Sequence, residues 1–487
     1  MIEKIKSLTK DTAIYGISTI VGRFLGFLLV PLYTNVFSEA DFGIYSNIYA
    51  YLAFFNIFFI YGMDAAYMKY ASLAEDSERK KVFSTPYILV FFTTVLLVIL
   101  MLAFKNTLNV IMQVPDIYSN LIYYVTGIVF FDTIVMIPFS YLRLYNNARK
   151  FAAVKIINIL TNLVFNIILI FNYKMGIEAV FISNFIASVV TFIIMSRDIS
   201  KNLSLVFSNE IIKKMLKFGL PYLPASLAAI VVQVIDRPVM MLLKGPEATG
   251  IYQANYKLGI FMMLVVSMFQ YAWQPFFLVN AKEKNAKEIY SKVLTLFVTA
   301  AAVIWIFISL FIDNAASFEI FAGRSLIGKE YLSGIHIVPI ILFAYIFHGI
   351  YINFTAGIYI EEKTSYLPLI TGIGALGNVV SNFLLIPYLG LTGAAISTFI
   401  SYFLMAAANY IISQKFYPVK YEIRKVASVL FLITVTICIY YFLYTNNKLT
   451  FFVKLVMLFV FLASMFLFGI IKTEDLKKTL TLFLRKK

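Results

Sequence analysis

Apolar stretches of roughly 20 residues recur along the whole chain, each broken by a short polar loop. At a rise of about 1.5 Å per residue, such a helix crosses a hydrocarbon core of about 30 Å. Helices satisfy their own backbone hydrogen bonds in lipid, and the breaks are not the turn-rich spacing of short strands. The pattern therefore predicts an all-α membrane bundle, not a barrel. Spans are expected near 12–36, 42–64, 83–104, 118–142, 151–172, 176–196, 218–243 and 250–279. Six more are expected near 290–312, 334–357, 365–387, 391–413, 425–444 and 449–471. About fourteen spans result, and an even number puts both termini on one side.

The polar breaks orient the bundle. With the N-terminus in the cytoplasm, 31 of the 41 Lys and Arg residues fall on the cytoplasmic side and seven on the other. Cations near span ends, such as Lys155 and Lys292, are counted with the adjoining loops, and the remaining three, Arg23, Arg237 and Lys257, lie deeper inside spans. The positive-inside rule thus places both termini of this multi-pass membrane protein in the cytoplasm. The net charge of +16 would suit nucleic acid if it were clustered. Spread over loops, it faces anionic headgroups instead, so no nucleic-acid partner is expected.

Composition adds little to this picture. Hydrophobic residues make up 61% and mean hydropathy is +0.85, too apolar for a soluble domain of this length. The one cysteine, Cys438, excludes an internal disulfide and a cysteine-based metal site. Lys4, Lys6 and Lys10 before an apolar run resemble a signal peptide. That run is too long, contains Arg23 and lacks a small-residue cleavage site, so it reads as a retained first helix.

The chain also repeats itself. An offset of 207 residues pairs Glu3, Ile5, Lys6 and Lys10 with Glu210, Ile212, Lys213 and Lys217. It pairs Gly43-Ile44-Tyr45 with Gly250-Ile251-Tyr252, Tyr49 with Tyr256, and Ser84 with Ser291. Later the offset drifts, and Asn162 and Asn166 match Asn378 and Asn382. Two six-helix repeats follow, an N-lobe at 1–205 and a C-lobe at 206–415, with two further helices and a cytoplasmic tail at 416–487. Parallel repeats of this kind build alternating-access transporters, with the substrate between the halves near the midplane. The segment 208–217 carries Ile211, Ile212, Met215 and Leu216 at helical spacing beside Lys213, Lys214 and Lys217. It suits a helix on the inner leaflet or a lead into the next span.

The layout and several motifs resemble the polysaccharide-transport branch of the multidrug/oligosaccharidyl-lipid/polysaccharide flippase superfamily. Pro31-Leu32-Tyr33 followed by Phe42-Gly43-Ile44-Tyr45 is similar to that family's passage from first to second helix. Tyr331, Pro339 and Gly349-Ile350-Tyr351 resemble its tenth helix. Asn378, Asn382, Leu385-Ile386-Pro387, Gly390 and Gly393-Ala394-Ala395 resemble its eleventh and twelfth. The resemblance implies a flippase moving undecaprenyl-diphosphate-linked oligosaccharide to the outer leaflet for surface polysaccharides such as O-antigen. It implies membrane lipids as surroundings, and a polysaccharide polymerase and glycosyltransferases as partners.

A charge within a span is costly and marks a candidate site. Guanidinium groups bind phosphate oxygens through paired donors and keep their proton. Arg23 and Arg237, one from each half's first helix, are therefore candidate diphosphate ligands, with Lys257 a third. Asp132, mid-way along the fourth helix, is the leading coupling carboxylate, or else a static partner for Arg23. Asp236 is a second, and Asp64, placed near the outer face, a third. Arg143 reads as an interfacial anchor. His336 and His348 lack a nearby carboxylate and read as helix contacts, so no metal is expected. No GxxxxGK[ST] loop occurs, which leaves a proton or sodium gradient or the membrane potential as the energy source, and no cofactor. The 33 tyrosines offer sugar-stacking surface, although most will pack or sit at interfaces.

Two transporters compete with this reading. A multidrug cation exporter of the same superfamily would want an acidic or aromatic pocket and about twelve helices. A peptidoglycan-precursor flippase would differ only in the sugar moved. A membrane glycosyltransferase would need catalytic groups in a large outer loop. The segment 313–333 offers Asp313, Glu319 and Glu330 without a paired arrangement, so no enzyme is expected.

Overall fold

A computed structural model describes residues 26–321 and 323–470. The chain divides into two compact units, one ending at Gln253 and the other beginning at Ala254. The first holds α1 (26–34), α2 (Glu39–Ile60), α3 (Met63–Ser72), α4 (Arg79–Ala103), α5 (Lys105–Ile111) and α6 (Leu121–Ile134). It continues with α7 (Met136–Leu144), α8 (Ala148–Ile167), α9 (Glu178–Asn202), α10 (Asn209–Gly219), α11 (Tyr222–Val234) and α12 (Asp236–Tyr256), whose last turn crosses the boundary. The second holds α13 (Ile260–Asn280), α14 (Ala286–Ala316), α15 (Val338–Ile360), α16 (Leu367–Leu389), α17 (Leu391–Phe416), α18 (Ile423–Thr445) and α19 (Phe451–Leu467). Between α14 and α15 a small hairpin pairs β1 (Glu319–Phe321) with β2 (Arg324–Ser325).

Among the described residues, eleven helical stretches are long and apolar enough to cross a membrane. One of them, Tyr222–Asn280, has 59 residues. Straight, it would run to about 90 Å, far beyond one crossing. It is folded back at Gly245, whose φ of 83° and ψ of −177° break the helix just before Pro246. Residues sixteen apart meet as a result: Arg237 Nε donates to Gln253 Oε1 at 2.7 Å and the Tyr252 hydroxyl to Asp236 Oδ2 at 2.5 Å. This stretch is thus two crossings, as expected from 218–243 and 250–279. The 17-residue α19 supplies the expected last helix, and of the expected first span, 12–36, residues 12–25 lie outside the described residues.

Some residues paired by the sequence offset make matching hydrogen bonds. Asn166 Nδ2 donates to the carbonyl and side-chain oxygens of Asn162, and Asn382 Nδ2 does the same to Asn378. Ser84 Oγ accepts the amide of Ser204 after α9, and Ser291 Oγ accepts that of Glu422 after α17. Gly43 and Gly250 touch reciprocally. A Cβ on Gly43 would lie 1.9 Å from the Pro246 carbonyl oxygen, and one on Gly250 would lie 1.9 Å from that of Glu39. Glu39 and Pro246 are themselves 207 residues apart, so a local two-fold runs through this glycine contact.

Two expectations change. The amphipathic α10 does not need a leaflet to cover it. Its Ile212 and Met215 are buried with Met63, Ala66 and Tyr67 of α3 and Val82 and Phe83 of α4, while Lys213, Lys214 and Lys217 remain exposed. Asp64 also moves. The second helix ends at Ile60, the chain turns through Tyr61 and Gly62 at φ of 35° and 77°, and Asp64 opens α3.

Candidate substrate-binding site

Within the first unit, α9 carries a line of polar residues at helical spacing, and each is tied to a different helix. Asn184 Nδ2 donates to the Tyr49 hydroxyl on α2 at 2.8 Å. Ser188 Oγ donates to Asp132 Oδ1 on α6 at 2.7 Å. Thr191 Oγ1 accepts from Asn158 Nδ2 on α8 at 2.9 Å. A bundle surrounded by lipid has no water to satisfy such groups, so polar side chains seek one another across helices.

Asp132 is the centre of this line. Lys155 on α8 and Tyr49 both lie within its electrostatic reach. Lys155 Nζ also stands over the Phe139 ring, 4.5 Å from its centroid. Tyr49 stacks against Tyr45 with ring centroids 4.7 Å apart, and both rings touch Phe181. Tyr45 in turn lies within the field of Arg237. Lys155 and Asp132, Asp132 and Tyr49, and Tyr45 and Arg237 thus lie within one another's fields, with Tyr45 and Tyr49 in ring contact.

At its far end the hairpin fixes both members of the Asp236-Arg237 pair. Asp236 is 3% exposed and accepts from the Tyr252 hydroxyl and from the backbone amide of Arg237. Arg237 is half-buried, and its Nε bond to Gln253 sets the plane of the guanidinium. Lys257 belongs to the second unit, half-buried in the short turn Lys257–Gly259 before α13. Arg23 lies outside the described residues. Arg143 is exposed on α7.

Lys155 is the functional candidate that the hydropathy pattern hides. The tally of loop charges counts it with the cytoplasmic loop, although the fifth span is expected from 151. The helix begins at Ala148, after a turn in which Asn146 has a φ of 53°, so Lys155 sits two turns inside. The Asn146-Asn147 pair was the available signal, since asparagine favours turns and helix starts.

The histidines are helix contacts. His336 Nδ1 lies 2.9 Å from the Ser333 carbonyl and Nε2 lies 3.2 Å from Thr392 Oγ1. His348 stacks on Tyr402 and Tyr351 at 4.7 and 6.0 Å. Among the described residues no group of three His, Cys, Asp or Glu side chains could hold a metal.

The bundle and its buried polar tract define a multi-pass membrane protein with the fold of transporters. A solved lipid II flippase MurJ, in an inward closed conformation, matches 95% of this chain and 99% of its own at a TM-score of 0.75 and 17% identity. An inward-facing multidrug resistance MATE transporter matches 82% of this chain and 94% of its own, at 0.64 and 16%. A Vibrio cholerae MATE transporter matches 84% and 97%, at 0.60 and 14%. No curated protein matches by sequence. The family profile "Polysaccharide biosynthesis protein" matches residues 8–279, more than half of the chain. The protein belongs to that family.

Proposed function

We propose that this protein carries an undecaprenyl-diphosphate-linked oligosaccharide from the inner to the outer leaflet of a bacterial inner membrane, for surface polysaccharide biosynthesis. The lobes 1–205 and 206–415 alternate access, and both termini are cytoplasmic. The observation that carries this reading is the polar tract from Lys155 through Asp132 to Arg237 inside an otherwise apolar bundle. A diphosphate crossing a membrane needs fixed positive charge to replace its water, and these cations supply it. Arg237, Lys155 and Lys257, with Arg23, are assigned to the diphosphate. Asp132 is assigned to coupling, with Asp236 and Asp64 secondary to it.

The lipid tail needs the opposite environment. In the second unit an apolar groove of about 320 Å³ opens between α14, α15, α17 and α18, walled by Phe347, Phe354, Phe403 and Leu430. Side chains of this kind suit a prenyl chain.

The fold shared with the lipid II flippase supports a second reading, transport of a peptidoglycan precursor, which uses the same charges. Deleting the gene and complementing with wild type, Arg237→Ala, Lys155→Ala or Asp132→Asn tests both. Lost surface polymer with lipid-linked sugar accumulating on the inner leaflet is the expected result of the deletion. Normal polymer with arrested peptidoglycan would select the second reading. Normal polymer and altered resistance to cationic drugs would reject both in favour of an exporter.

A further inference from the structure

A second polar site, with no charged side chain in its lining, lies in the second unit. Gln270 and Gln274 stand one turn apart on α13, and Tyr351, Thr355 and Tyr359 stand at the same spacing on α15. The two rows flank a cavity of about 80 Å³. Residues four apart on a helix have Cβ atoms about 6 Å apart, so each row presents one continuous edge. Trp273 forms the floor, 2% exposed, with its indole N–H donating to the Asn353 carbonyl and tying α13 to α15. The Tyr351 ring is held by its stack on His348.

The chemistry of this lining is specific. No charged side chain borders the cavity. Each carboxamide offers two donors and an acceptor, and each hydroxyl offers both roles. That set complements sugar hydroxyls and acetamido groups, which are donors and acceptors at once. Carboxylates and phosphates only accept and would find no cation here. Gln270, Gln274 and Tyr359 are exposed, so they remain available to a ligand without breaking the fold.

We propose that this cleft is a subsite for a neutral sugar, a hexose or N-acetylhexosamine, of the lipid-linked substrate. The assignment rests on the flippase reading and extends it by separating two recognition tasks. The charged tract of the first unit holds the diphosphate, while the α13–α15 cleft selects the sugar.

Binding of full-length protein to three lipids, followed by native mass spectrometry in detergent, tests this. The probes are undecaprenyl diphosphate alone and the same lipid bearing either one N-acetylhexosamine or one uronic acid. Wild type is expected to bind the N-acetylhexosamine lipid about tenfold more tightly than either of the others. Gln270→Ala combined with Gln274→Ala is expected to erase that preference while leaving bare-lipid affinity unchanged, a loss of the size of one or two hydrogen bonds. Equal wild-type affinity for bare and sugar-bearing lipid would overturn the subsite and leave the flippase reading standing. Retained preference in the double variant, or tighter binding of the uronic acid, would also overturn it. Failure of wild type to bind any of the three would overturn both readings.

Discussion

Asp132 and Lys155 show how much a few ångströms change the meaning of a charge. Asp132 is bonded to Ser188, on a helix remote in sequence, and feels Lys155, which hydropathy alone leaves in a loop. Replacing Lys155 with Ala should lower transport at least about tenfold, whereas Arg143→Ala, at an exposed position, should stay near wild type. Surface polymer per unit of membrane-inserted protein measures both. Asp236 permits a stability prediction. Tyr252→Phe removes one of its hydrogen bonds and leaves a buried carboxylate short of a donor, at a cost of about 1–3 kcal/mol. The detergent-solubilised variant should melt earlier than wild type. An unchanged melting temperature would mean that the hydroxyl contributes nothing to holding the hairpin.

At the level of elements, the reciprocal contact of Gly43 with Gly250 is the tightest constraint the sequence repeat imposes. Both hypothetical Cβ atoms would press on backbone carbonyls, which cannot swing aside as a side chain can. Gly43→Ala and Gly250→Ala should each destabilise the protein by about 1–3 kcal/mol through overpacking. Gly372→Ala, on α16 with nothing within 4 Å of the added carbon, should be neutral or slightly stabilising by helix propensity. Thermal melts of the three variants side by side distinguish a real close approach from a general intolerance of substitution. The helix α10 carries the parallel lesson for amphipathic segments. Its apolar stripe was legible, and the structure shows Ile212 and Met215 of that stripe packed on α3 and α4.

For the whole molecule, the orientation proposed from the charge asymmetry is open to direct measurement. With the exposed Cys438 first replaced by Ala, a single cysteine at Ser77 should react with an impermeant thiol reagent only after the membrane is opened. A cysteine at Asn447 should react in intact spheroplasts. The reverse pattern would invert the topology and with it the direction assigned to transport. The packing boundary at Gln253 and the repeat boundary at 205 describe different things. A repeat is set by matching residues along the chain, whereas a compact unit is set by which helices touch. The hairpin of α11 and α12 packs on the first unit although its residues begin the second repeat.

The number of crossings, their lengths, the duplication and the charge asymmetry were determined by the sequence alone, because each depends on residues near one another along one helix or on counts summed over loops. The break at Gly245-Pro246 was readable for the same reason, since backbone conformation is local. The tertiary structure alone decided that Asp132 meets Ser188 and Lys155, that Asp236 is held by Tyr252, and that Gln270 and Gln274 face Tyr351 and Thr355 across a cleft. A hydropathy profile records how deep a residue sits along its own helix, whereas a binding site depends on which faces of different helices are turned toward each other.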